Sequence, residues 1–175
     1  RASEESRGWA RKFLGVRSES GNLIALSPGS SKPEKCWPVE GFAKLARTLT
    51  DQGATIIVVG SPGEKPLEDA LAAASGAELI RAVGRTTVAQ LVGLLERCVL
   101  FLGNDSGPLH IAAALGIPCL AFYGPTDPRF TGPYGQQHIV LTPPGGEQDI
   151  RLINFAQAEA TCVQVFQKAR QKVKA

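Results

Sequence analysis

Methionine is absent from the chain, and histidine and tyrosine occur only twice each in 175 residues. The two histidines are His110 and His138, and the four cysteines, Cys36, Cys98, Cys119 and Cys162, lie far apart. No C-x-x-C pair and no Cys/His spacing is present, which excludes a finger- or ribbon-type metal site. Charge of one sign is also lacking. Nineteen basic and sixteen acidic side chains leave +3, spread too evenly for a nucleic-acid footprint. No run of about 18 apolar residues exists, so no segment reads as a membrane span. The start, Arg1-Ala2-Ser3-Glu4-Glu5-Ser6, has neither an initiator methionine nor the apolar core of a signal peptide. Together with the missing methionines, this fits a piece of a longer chain.

What is present is ordinary for a globular domain. Hydrophobic residues make up 43% and charged residues 20%, enough for one domain with a buried core and wrong for disorder. Cys98 and Cys119 lie in apolar runs, where a free thiol behaves as a small hydrophobe, and a reduced, cytosolic compartment is expected. The one basic cluster is Lys168, Arg170, Lys172 and Lys174 at the end of a helix. It reads as a solvated helix end that suits the helix dipole, with weak attraction to an anionic membrane surface as the alternative.

The first 20 residues predict a helix and linker from a preceding element, with Trp9, Phe13 and Leu14 as its apolar cluster. From residue 21 a repeating unit begins. Short apolar strands at 23–26, 55–59, 78–80, 99–102, 118–123 and 138–141 alternate with helices at 39–52, 64–75, 87–96, up to 115, and 155–172. Wholly apolar strands between amphipathic helices predict an α/β fold, a doubly wound Rossmann-like parallel sheet of about six strands. Ligands of such sheets bind at the C-terminal ends of the strands. The glycines and hydroxyls collect there, in Ser27-Pro28-Gly29-Ser30-Ser31, Gly60-Ser61-Pro62-Gly63, Gly84-Arg85-Thr86, Gly103 to Gly107 and Gly124-Pro125-Thr126-Asp127.

Among these loops Gly103-Asn104-Asp105-Ser106-Gly107-Pro108-Leu109-His110 is the most informative. A buried strand runs into a helix whose first turn carries Pro108, and exposed N–H groups at the positive helix end favour an anion such as pyrophosphate. Asp105 or Ser106 is alternatively a plain helix cap. His110 falls in the first turn, beside any such ligand. No G-x-G-x-x-G follows the first strand, which argues against NAD. In the loop Ser30 to Pro38, two hydroxyls and two lysines are suited to phosphate oxygens, yet the same loop also reads as a polar cover with Trp37 plugging the core. Glu64 is a ribose acceptor or a helix-start residue. Asp127 and His138 read as structural. No Ser-His-Asp order, metal cluster or carboxylate pair identifies a reaction.

Ser27-Pro28-Gly29-Ser30-Ser31 with Lys35-Cys36-Trp37-Pro38, Gly103 to Ala114, and Tyr123-Gly124-Pro125-Thr126-Asp127-Pro128 resemble, in order and spacing, the family 9 glycosyltransferases, the ADP-heptose:lipopolysaccharide heptosyltransferases. The resemblance runs from about residue 22 to 172. It implies the C-terminal, nucleotide-sugar-binding half of a GT-B glycosyltransferase, over residues 21–175, with an inverting reaction and no obligatory metal or other cofactor. By resemblance Ser30, Ser31, Lys35, Ser106, Gly107 and His110 bind the donor phosphates, Asp105 the sugar and Glu64 the ribose. The implied partners are ADP-heptose or ADP and, through the other half, the lipopolysaccharide core. The catalytic base would then lie on the other half, so this chain alone should bind donor without transferring it. The implied location is cytoplasmic, with peripheral seating on the inner membrane as an extension. A relative using another nucleotide sugar, and a non-catalytic nucleotide-binding module, are the competing readings.

Overall fold

In the computed structural model the described residues are 1–19 and 21–174, with side chains over 1–17 and 21–171. Six strands form one sheet: β1 Leu23–Ser27, β2 Thr55–Val58, β3 Leu79–Arg81, β4 Leu100–Asn104, β5 Cys119–Phe122 and β6 Ile139–Leu141. Their order is β3-β2-β1-β4-β5-β6, and every neighbouring pair is parallel. The α/β, doubly wound sheet expected from the apolar runs is therefore observed. Both faces are covered, which is why β1, β4 and β5 are buried at every residue and show no polar alternation.

Alternate strand residues face opposite layers. Ile24, Leu26, Leu102 and Phe122 pack with Phe42, Leu45 and Leu49 of α2 (Val39–Asp51), Leu71 of α3 (Lys65–Ser75), and Cys162 and Phe166 of α7 (Phe155–Lys174). Leu23, Ala25, Phe101 and Tyr123 pack with α1 (Glu4–Leu14), α4 (Val88–Leu95) and α5 (Gly107–Ala114). A short α6 spans Pro128–Thr131. Burial pushes the thiols of Cys98, Cys119 and Cys162 up to about 12, and Cys98 and Cys119 are the apolar fillers their sequence contexts suggest.

The helix expected within the first 20 residues is docked on this domain. Ala10 and Leu14 are buried in the second layer, and Arg7 pairs with Glu96 at 2.8 Å. Close approach is possible because residue 93 of α4 is glycine: a Cβ there would meet the Ser6 carbonyl oxygen at 2.5 Å. Alanine normally favours a helix over glycine by about 1 kcal/mol. Gly93→Ala should instead destabilise by about 1 kcal/mol net, because overpacking against fixed backbone costs about 1–3 kcal/mol. Urea denaturation reads this directly, and a stabilised variant would show that α1 yields freely.

At the other end of the chain, Lys172 and Lys174 of the basic cluster lie outside the residues with described side chains. Arg170 is committed to the domain, donating to the Gln52 carbonyl at 3.0 Å with its guanidinium over the Phe166 ring.

The chain order reverses between β1 and β4, so their following loops diverge and leave a crevice at the C-terminal edge. Two buried side chains lock that crevice open. Trp37, 3% exposed, stacks on Phe122 at 4.4 Å and meets Phe42 edge-on at 5.2 Å. Gly41 gives the indole its space, since a Cβ there would lie within 2.6 Å of the ring. Asn104, at the end of β4, accepts from the backbone N–H of Trp37 at 3.0 Å and donates to the Pro28 carbonyl at 2.8 Å.

Candidate functional site

The crevice opens as a pocket of about 400 Å³ lined by Ser30, Ser31, Lys35, Ser61, Glu64, Asp105, Ser106, Gly107, Pro108 and His110. All eight residues assigned to the ligand by resemblance thus line one cavity, from segments up to 80 residues apart (30 to 110). Their roles within it differ from residue to residue.

Ser106 is the N-cap residue of α5, but its side chain does not cap the helix. Its hydroxyl oxygen is buried without a hydrogen-bond partner among the described residues. Asp105 is not the cap either. The plain-cap reading of this loop is therefore not what the chain adopts, and the helix start faces the pocket without a side-chain acceptor. Gly107, the next residue, has open space where a Cβ would stand. Packing thus gives no reason for a glycine at that position. Gly103 is different: a Cβ there would press on the Ser27 carbonyl and the Phe101 ring, so that glycine serves the sheet.

Asp105 turns away from the helix and becomes the hub of the site. Its carboxylate, in a residue only 8% exposed, meets Lys35 Nζ and Thr126 Oγ1 at 2.9 Å each, both on Oδ2. On Oδ1 it meets the Tyr123 hydroxyl at 3.3 Å and His110 Nε2 at 3.5 Å. Burial pushes the Asp105 carboxyl up, but the bonds from Lys35 and Thr126, the Lys35 charge and His110 outweigh it and hold the group below its ordinary value. It is ionised at neutral pH. The Tyr123 phenol is pushed above its usual value by burial and by the Asp105 charge, and so remains a donor.

Ser30 donates its hydroxyl to the Asp105 carbonyl, which ties the β1 loop to the β4 loop, while Ser31 is exposed. Glu64 takes the helix-start position and also lines the pocket. Its Oε2 accepts from the Ser61 N–H and hydroxyl in a capping box, while the carboxylate lies over Gly29 and Gly60 at the pocket wall. Asp127 is structural as read, capping α6 through the Arg129 N–H at 2.9 Å. His138, the residue before β6, meets the Tyr134 carbonyl at 3.0 Å away from the site.

Sequence reasoning placed Asn104, Tyr123 and Thr126 in its motifs but gave none of them a role. A signal existed: β4 and β5 are apolar strands that end in Asn and lead into Tyr, and polar groups buried at such ends need assigned partners. Among the described residues no group of three or more His, Cys, Asp or Glu is arranged to hold a metal ion, and no helix is long and apolar enough to cross a membrane.

A doubly wound sheet, a topological switch point, an uncapped helix start and a lysine beside it make an open α/β domain whose crevice suits an anion. Residues 2–150 match the sequence profile of glycosyltransferase family 9 (heptosyltransferase), and the chain belongs to that family. The match starts at α1, earlier than the motifs suggested, and stops before α7. Lipooligosaccharide heptosyltransferase 2 of Haemophilus influenzae is 35% identical over 124 residues, covering 68% of this chain and 36% of that protein. The structure of ADP-heptose lps heptosyltransferase II from E. coli superposes with a TM-score of 0.83 at 28% identity, over 100% of this chain and 54% of that one. For E. coli heptosyltransferase WaaC with ADP the TM-score is 0.69 at 27% identity, over 92% and 48%. The chain therefore spans about half or less of the length of these relatives.

Proposed function

We propose that the chain is the donor-binding half of an inverting glycosyltransferase that moves heptose from ADP-heptose to the inner core of lipopolysaccharide. The observation that carries this reading is the α5 start. Its cap residue has an unpartnered, buried hydroxyl, and beside it stand an open glycine and the Lys35 ammonium. That combination suits a diphosphate, and the ADP bound to WaaC, a relative of the same fold, supports the nucleotide.

In this reading Ser30, Ser31, Lys35, Ser106, Gly107 and His110 contact the diphosphate. Asp105 faces the sugar side and Glu64 the ribose. As the glycosidic bond breaks, negative charge grows on the leaving diphosphate, and the helix start with Lys35 stabilises it electrostatically. The base that takes the acceptor proton belongs to the half of the protein outside this chain, so the chain alone binds donor without transferring it. No metal is needed in this scheme. The protein works at the cytoplasmic side, with peripheral contact to the inner membrane where its acceptor lies.

Titration with ADP, GDP and UDP tests the assignment. ADP should bind most tightly, and the pocket residues should shift in an amide NMR spectrum. No binding of any nucleotide at millimolar concentration would remove the donor reading, and preference for UDP would redirect it to another nucleotide sugar.

A further inference from the structure

Lys35 faces two anions in turn. In the structure its ammonium is paired with Asp105 at 2.9 Å, whereas donor binding draws it toward the diphosphate. A carboxylate that is 9% exposed and loses its cation is strongly destabilised unless other donors hold it. Those donors are present, and they come from the Tyr-Gly-Pro-Thr turn after β5. Thr126 Oγ1 shares Oδ2 with Lys35 at 2.9 Å. The Tyr123 hydroxyl lies 3.3 Å from Oδ1 and 2.7 Å from the Thr131 carbonyl. A phenol has one proton, and at these distances it donates to Thr131 while Lys35 is in place. It can turn to Asp105 when Lys35 leaves.

We propose that Thr126 and Tyr123 are positioning residues that hold the Asp105 carboxylate while Lys35 turns to the donor diphosphate. This rests on the donor-binding reading above. Neither residue touches the ligand, and both act through Lys35. Without them Asp105 competes harder for the ammonium and the diphosphate is bound less well. His110 Nε2 at 3.5 Å is the remaining group on Oδ1, and it lies on the pocket wall where the same ligand reaches it.

The test is a double-mutant cycle read by calorimetric titration with ADP. Thr126→Val should weaken ADP roughly tenfold in the otherwise native chain, the size expected for one lost bond to a charged group. In the Lys35→Ala background the same change should alter affinity by less than about twofold, because no ammonium remains to be released. Thr126→Ser, which keeps the hydroxyl, should bind ADP as the native chain does. Tyr123→Phe should repeat the pattern of Thr126→Val at smaller amplitude, with thermal melting reporting its fold. Equal losses in both backgrounds would mark a structural role and overturn the proposal, as would no loss in either. If the native chain itself fails to bind ADP, the donor reading falls first, and that outcome is distinct from both.

Discussion

Trp37→Ala should lower the free energy of unfolding by roughly 3–5 kcal/mol, the range for emptying a well-packed aromatic site. The indole is 3% exposed and touches three aromatic rings, stacking on Phe122 and Phe155 and meeting Phe42 edge-on. A cavity there cannot be filled from Gly41, which has no side chain to move in. The effect should reach beyond stability. The backbone N–H of Trp37 donates to Asn104, and the buried indole holds that backbone, and the neighbouring loop that carries Lys35, in place. We expect a lowered urea midpoint together with weaker ADP binding at temperatures where the variant is still folded. Unchanged stability would mean that the aromatic stack is not the anchor of the crevice.

Lys35→Ala should weaken ADP binding by about 1.5–3 kcal/mol, the cost of a lost charge-assisted contact. That corresponds to roughly ten- to more than a hundredfold in Kd. Two effects contribute. The diphosphate loses a cation, and Asp105 keeps its charge in a mostly buried place, now near a ligand of the same sign. Repulsion between them adds to the loss, so the measured value should fall in the upper part of the range. Lys35→Arg should recover only part of the affinity, because a planar fork does not replace a point charge held between two anions. An unchanged affinity in a folded Lys35→Ala variant would return the loop to a purely structural part.

The strands were legible because their signal is local. Residues such as Ile24, Leu26, Leu100 and Leu102 carry no polar partner and can only be buried, and the helices between them show a 3.6 period. That the site's loops share one pocket was legible too, since glycines and hydroxyls gather at the rim where the strands end. What each side chain does was less so. Asp105 reads in the sequence as a cap or a sugar contact, yet it faces Lys35, Thr126 and Tyr123, none of which is within ten positions of it (35, 126 and 123 against 105). No periodicity encodes such a pairing. Ser106 illustrates the reverse case: its type and place fit a cap, but its extended backbone and buried hydroxyl leave the helix start open. Glu64 took its helix-start reading, and as a capping carboxylate on this rim it also lines the cavity.

The strand order carries a further consequence for how the protein assembles. The bonds that close the crevice join residues 67 to 76 positions apart in the chain: Trp37 to Asn104, Lys35 to Asp105, Ser30 to Asp105 and Asn104 to Pro28. All depend on β1 and β4 lying side by side, a pairing of high sequence separation and therefore of high loop-closure cost. In the donor-binding reading, a partly folded chain lacking that central pairing has no place for the nucleotide. Ligand binding therefore draws only on the finished fold, and whatever protection it gives against heat or proteolysis is spread over the whole domain rather than over one loop.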